Sequence, residues 1–447
     1  MNRSKQTKRS ALALAILLAI AAPTHALAQD ASPQTLEARI AQLEQMVQVL
    51  KSELDAQKAA DAEAAAKVAA APPPANPIQA TTVMPAAAPG TKFSFGGFVK
   101  LDAMYTDTDG GEIPDGSTGR LFYVPSTIPV GSPGSSEDAD LDMHAQFSRL
   151  WFGADSEIAG QKVKAYLEMD LFGGALGNEI STNTYGVTIR HAYVSWGNWL
   201  AGQTWSNFQD VAALPDAVDF VGPTEGTIFV RDAQIRYTNG PWSFSLENPE
   251  TTVAAFGSGA RFNSDDNNVP DFTARYLHKG DWGHFTVAGL ARQLKVETAL
   301  LDESETSFAI SVSGKWNLGA KDDIRYMVNG GSGLGRYLGF GLGPDAMQAA
   351  DGSLEALDGT AGFVAWRHVF SPKWRSNVFY SMARFDNDTA LTGLGVTESA
   401  QSVHANLIYS PFPKLDVGAE LIFGEREIES GAKGELNRLH MHVKYNF

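Results

Sequence analysis

Three groupings in the chain have residue types that could do chemistry. Ser402 and His404 stand two apart, a hydroxyl beside a base, as nucleophilic catalysis requires. No G-x-S-x-G elbow surrounds the serine, and the sequence offers no group to orient the histidine. His440 and His442 share a face and could ligate a metal, but two ligands without a third are a weak zinc site. Gly330-Gly-Ser-Gly-Leu-Gly335 and Gly339-Phe-Gly-Leu-Gly343 have the composition of phosphate loops. They lack the Lys-Ser/Thr pair and the following helix, so they read as flexible surface loops. The expectation is no enzyme, no cofactor and no resident metal; acidic loops without EF-hand spacing would hold divalent cations only loosely.

A fourth grouping is larger and differently arranged. Lys100, Arg149, Arg236, Arg275, Arg325, Arg367, Arg426 and Arg438 fall on the polar face of alternating segments, as do Lys162, Lys164 and Lys444. Asp102, Glu168, Asp170, Glu247, Asp416 and Glu420 share that face. Fixed charges lining an aqueous passage select ions by sign; the alternative is that they pair across strands and only solvate a wall. Bases outnumber acids in this set although the whole chain carries a formal charge of −16. The excess acid lies elsewhere, with Asp107, Asp109, Glu112, Asp115, Glu137, Asp138, Asp140 and Asp142 in one loop. The segment 206–232 is apolar and rich in small residues, with Val211-Ala-Ala-Leu-Pro215 and Phe220-Val-Gly-Pro223. Folded inward, it would narrow a passage and set Asp210, Asp216, Asp219 and Glu225 opposite the basic wall.

The elements that must position these residues are strands. Leu439, Met441, Val443, Tyr445 and Phe447 alternate with Arg438, His440, His442, Lys444 and Asn446. Strict alternation puts one face in an apolar medium and the other in water. The same pattern holds over 162–171 and 415–424. Short connections near 155–161, 198, 239–241, 280–283, 318–322, 371–373 and 411–414 alternate with long ones. The long ones are placed near 107–142, 172–186, 206–232, 248–271, 296–305, 331–358, 386–399 and 427–434. Seven short turns and eight long loops separate sixteen strands. The expected fold is all-β, a 16-stranded antiparallel transmembrane β-barrel, since only closure satisfies every strand in lipid. Trp196, Trp199, Trp242, Trp282, Trp316 and Trp374 all sit near short turns, as an interfacial girdle requires.

Residues ahead of the barrel divide in three. A basic start, the apolar run 11–22 and Ala26-Leu27-Ala28 read as a signal peptide over 1–28. Over 29–58, Leu36, Ile40, Leu43, Val47, Leu50 and Leu54 keep the 4-3 spacing of a coiled-coil helix, here placed in the periplasm. Residues 59–91 form an Ala/Pro-rich linker, leaving 92–447 for the barrel. No cysteine is present, so neither a disulfide framework nor a lipid anchor on cysteine is available. The acidic balance argues against a nucleic-acid partner.

Phe95-Gly-Gly-Phe-Val-Lys-Leu-Asp102, Ser148-Arg-Leu-Trp-Phe-Gly153 and Gly202-Gln-Thr-Trp205 resemble stretches of DcaP-type porins. So does the order of segments over essentially the whole mature chain. That resemblance implies a homotrimer in outer-membrane lipid and lipopolysaccharide, with the third loop folded into the pore. It also implies passive diffusion of small polar solutes, favouring small anions such as dicarboxylates. The terminal Phe447, with Tyr445 and Val443 on its face, is similar to the signature read by the barrel-assembly machinery. The remaining alternatives are a non-selective general porin, an anchor whose coiled coil binds a partner, and an outer-membrane lipase or protease.

Overall fold

The computed structural model describes residues 41, 44, 45, 48, 51, 52, 55, 90–131, 138–174 and 185–447. The chain divides into two units, Met1–Pro77 and Ile78–Phe447. In the first, the seven described residues are helical and exposed. The signal segment, the apolar seam of the heptad and nearly all of the Ala/Pro-rich stretch lie outside the described residues.

The second unit is one antiparallel sheet closed on itself. Strand β1 is Lys92–Thr108, and β2 runs in two pieces, Asp140–His144 and Arg149–Ile158, both paired with β1. Then follow β3 Gln161–Asp170, β4 Thr188–Trp196, β5 Trp199–Trp205, β6 Arg231–Asn239, β7 Trp242–Glu247 and β8 Asp271–Gly280. The second half holds β9 Gly283–Thr298, β10 Leu301–Leu318, β11 Asp322–Ser332 and β12 Asp358–Ser371. It ends with β13 Trp374–Phe385, β14 Thr397–Tyr409, β15 Leu415–Ile428 and β16 Lys433–Asn446. Each strand pairs with its neighbour in sequence, and β16 pairs with β1 from Phe98↔Asn446 to Thr108↔Leu436. Counted with β2 as one strand, the barrel has sixteen, as alternation and turn spacing predict.

Alternation explains the two faces. Val99, Leu101 and Tyr105 on β1, and Met441, Val443 and Tyr445 on β16, stand exposed on the outside. Between them Lys100, Asp102, His440 and His442 point inward and are buried. Trp196, Trp199, Trp242, Trp282, Trp316 and Trp374 stay exposed along the short-turn rim, the belt where amphipathic rings meet headgroups.

Two connections read as long loops are not loops. β9 and β10 continue in register to Thr298↔Leu301, and β15 and β16 to Glu427↔Lys433, closing in tight turns. Polar residues there belong to strands that outrun the apolar band, which needs only about 9–11 residues per strand. The Gly-rich segment after β11 is also not a surface loop. Leu334, Tyr337, Leu338 and Leu342 are buried inside the barrel, and Leu338 bridges Ile228 of the third loop.

Nor is the inner wall polar all round. Ala288, Leu290, Met327, Phe363, Phe379 and Ala383 on β9–β13 face inward and form one core with Phe208, Ala213, Ile228, Tyr337 and Leu342. Removing a large apolar side chain from water contributes about 1.5–3 kcal/mol, so this half of the barrel holds its loops as a filling. Strands 251–254, 261–264, 346–348 and 354–356 make a small separate sheet at the loop end. It packs Val253, Ala346 and Leu354 on Leu294 and Val296 of β9.

Candidate functional site: the barrel interior

The segment 206–230 leaves β5 and crosses the interior, bonding in turn to one wall strand after another. Asn207 N–H donates to Glu247 at 2.7 Å, and the Gln209 carbonyl accepts from Arg275 at 3.0 Å. Asp210 meets His284 at 2.8 Å and Ser313 at 2.9 Å. Asp216 pairs with Arg375, while its carbonyl accepts from Asn377 and Asn406, each at 2.9 Å. Val218 donates to Glu420 at 2.7 Å and accepts from Lys100 at 2.8 Å. Gly226 donates to Ser381 at 2.9 Å. A Cβ on Gly226 would lie 2.3 Å from the Gly362 carbonyl carbon, so the loop touches β12 backbone to backbone. Only a residue without a side chain allows that approach.

The four loop acids are therefore anchors. Asp219 accepts from the backbone of Tyr123 at 2.8 Å and of Val221 and Gly222 at 3.0 Å, and lies 3.4 Å from His440. Glu225 accepts from the Tyr123 hydroxyl at 2.6 Å and from Ser402 at 2.9 Å. Burial alone raises both carboxyls. The His440 side chain and the donated N–H groups outweigh that at Asp219 and hold it well below the usual carboxylate range. Glu225 stays raised, because its direct side-chain partners are neutral hydroxyls. None of Asp210, Asp216, Asp219 and Glu225 forms an ion pair with Arg236, Arg275 or Arg325.

The eight named basic residues separate into three groups. Lys100 pairs with Asp102 at 2.7 Å, Arg149 with Glu168 at 3.3 Å, and Arg325 and Arg367 share Asp323 at 2.7 and 3.3 Å. Arg426 and Arg438 instead hold the first loop, donating to the carbonyls of Ser126 and Ile128 and of Gly119. Arg236 and Arg275 meet no carboxylate. They donate to the carbonyls of Trp205 and Gln209 and line a cavity of about 520 Å³ with Lys279 and Lys315.

Several interior bases escape a reading of alternation. Arg190, against Glu168 at 2.9 Å and Asp170 at 2.8 Å, is the unpaired residue of a bulge, since Glu168 faces His191 and Met169 faces Ile189, and it breaks the period. Arg231, whose guanidinium lies 4.6 Å from the Trp205 ring centroid, opens β6 at the end of the third loop. Lys279 and Lys315 keep the inward period but stand beside short turns. Arg375 directly follows the turn 371–374, and Asp216 and Asp416 on either side of it give it away only in three dimensions.

Ser402 and His404 do have an orienting group, contrary to the sequence reading. Glu420 Oε1 lies 2.8 Å from His404 Nδ1, and His404 Nε2 lies 3.2 Å from Ser402 Oγ. All three are buried under Tyr123 and Glu225, with Ser402 donating to Glu225, so the set ties wall to loop and leaves no approach for a substrate. His440 lies between Asp102 and Asp219, and among the described residues no group of three or more metal-ligating side chains occurs.

A closed sixteen-strand barrel, apolar outside and crossed inside by its third loop, is an outer-membrane channel architecture. The model of the DcaP outer membrane protein family matches residues 22–447. The chain belongs to that family. It is accordingly an outer-membrane channel. Among solved structures it is similar to the outer membrane channel DcaP of Acinetobacter baumannii, at 24% identity and a TM-score of 0.66, covering 81% of this chain and 99% of that one. It is also similar to outer-membrane expressed OmpT of Vibrio cholerae, at 12% identity and a TM-score of 0.50, covering 81% and 99%. At these identities the likeness concerns the fold. No curated protein matches the chain.

Proposed function

We propose that this outer-membrane channel is a trimeric porin that passes small anions, dicarboxylates among them, by passive diffusion. One observation carries the reading. The interior acids are largely consumed, Glu168, Asp170, Asp323 and Asp416 in ion pairs with arginine and Asp102 in one with lysine. Arg236, Arg275, Lys279 and Lys315 form no ion pair with any described carboxylate and face one cavity. Unneutralised charge in a passage with low-dielectric walls concentrates the opposite ion, and a dianion gains twice over a monoanion. The reversal potential across a potassium chloride gradient tests this: chloride preference is expected, and potassium preference would overturn it.

The proposal extends to the rest of the chain. Residues 1–28 direct export, 29–58 form a periplasmic coiled coil, 59–91 link it, and Phe447 is presented to the assembly machinery. Isoleucine and valine at one seam position with leucine at the other favour two-stranded coils. The barrel contact decides for three, because the seam is only about three heptads long. Native mass spectrometry in detergent should give three copies; two copies would exclude a trimer.

A further inference from the structure

The cavity between the third loop and the short-turn rim has features of a binding site as well as of a passage. Its floor is the loop residues Gln209, Asp210, Val211 and Ala212, and its mouth is bounded by Gly280, Gly283 and Asn317 beside the short turns. At about 520 Å³ it lies within the range of small-molecule sites, roughly 300–1,000 Å³. Arg236 and Arg275 are half-buried on one side, and Lys279 and Lys315 stand nearer the mouth.

Polar capacity at the floor is unspent. Gln209 is 2% exposed, and neither its amide nitrogen nor its amide oxygen has a partner. Thr286, also 2% exposed, has an unpartnered hydroxyl, and Arg275 Nε is unpartnered beside it. Buried polar groups are ordinarily satisfied, each unmet one costing about 1–3 kcal/mol. The one carboxylate in the lining, Asp210, is turned to His284 at 2.8 Å and Ser313 at 2.9 Å. Among the described residues, Arg236, Arg275, Lys279 and Lys315 therefore face the space with no ion-pair partner, the nearest acids being Asp210 and Glu247.

We infer that this cavity is a saturable binding subsite for a small oxyanion of charge two, on the periplasmic side of the third loop. The guanidinium of Arg275, already fixed through the Gln209 carbonyl, offers its remaining edge to one end of the ion. Lys279 and Lys315 hold the other end near the exit. A solute that has passed the loop pauses there before release, so occupancy is set from the periplasmic side. The inference rests on the anion reading above, and its test separates the two.

The experiment is single-channel recording of the full chain in potassium chloride, with sodium sulfate or sodium succinate added to one side. Because the chain has no cysteine, Ser371→Cys at a short turn reports orientation through a membrane-impermeant thiol reagent. Expected is a concentration-dependent, saturating fall in chloride current from the periplasmic side, and a much weaker one from the other. Lys279→Gln with Lys315→Gln should raise the half-blocking concentration about tenfold, two charge-assisted contacts being lost in a wet mouth. Lys433→Gln, at the opposite end of the barrel, should leave it unchanged. Block by sulfate alone identifies an inorganic ion, and block by succinate alone a carboxylate; either supports the subsite. An anion-selective wild type that neither ion blocks, or whose block is equal from both sides or unchanged by the lysine variants, overturns the subsite and leaves the anion reading standing. A potassium-selective wild type overturns both.

Discussion

The Tyr123 hydroxyl, on the first loop, donates to Glu225 Oε1, on the third, at 2.6 Å, with both side chains fully buried inside the barrel. The two loops that fill the lumen therefore lock to each other as well as to the wall. The Tyr123 backbone N–H adds a second tie at Asp219, 2.8 Å away. Removing either partner leaves a buried polar group unmet, at about 1–3 kcal/mol.

Glu225→Ala should loosen both loops at once. Open-channel current noise should rise and mean conductance increase, while the barrel stays closed, since no wall pairing is touched. Planar-bilayer recording measures this; a variant as quiet as wild type would show that the remaining anchors suffice.

Gly226→Val should act by shape alone. Its side chain would enter the Gly362 backbone at a Cβ distance of 2.3 Å, so the loop must leave β12 and the Ser381 bond must break. Conductance should change without any change of charge, and Gly226→Ala should give a smaller effect of the same sign.

Charge reversal should separate the basic residues that the sequence groups together. Arg236→Glu and Arg275→Glu each place a carboxylate among cations with no acid partner, and should move the reversal potential towards potassium. Arg325→Glu should move it less, because Asp323 at 2.7 Å already neutralises the arginine locally. Equal shifts from all three would contradict the pairing.

Asp345→Ala should be the most destabilising of these changes. Its carboxylate accepts from Arg292 at 2.6 Å, from Thr252 N–H and hydroxyl at 2.8 and 2.9 Å, and from Arg336 N–H at 3.0 Å. Breaking a fully buried pair costs about 3–5 kcal/mol. Thermal unfolding followed by loss of heat-modifiable gel migration should shift downward, whereas Asp351→Ala at an exposed turn should not shift it.

Deleting 33–58 should leave a conducting barrel, because a proline-rich stretch follows that segment and few contacts are expected to cross it. Loss of insertion or of current would make the coiled coil part of the channel.

How far the sequence discloses all this depends on whether a residue's neighbours are near in the chain. Lys100, Asp102, His440 and His442 are legible as inward because their own strands alternate without a break. Arg190 is not, since it is itself the extra residue between Ile189 and His191, bulged out of register opposite Glu168 and Met169. Inward Leu290, Met327 and Phe363 contradict a polar wall; their reason is Tyr337 and Ile228, on loops far away in sequence. The apolar loop 206–232 signals that it needs cover, and its acids signal that they need partners. Which partners they find, Arg375 for Asp216 and Tyr123 for Glu225, depends on loop paths that no periodicity encodes.

The seam between β1 and β16 gives the inward loop a place in time. Those strands meet across residues such as Asp102↔His442 and Met104↔His440, more than three hundred positions apart in the chain. Contacts so distant in sequence form late, because the intervening chain must first be confined. Yet His440, which only the final strand supplies, is bonded to Asp102 at 2.8 Å on one side and on the other lies 3.4 Å from Asp219 of the third loop. The last strand to arrive thus carries the catch that fastens the loop, and the finished wall and the docked loop are products of the same closing event.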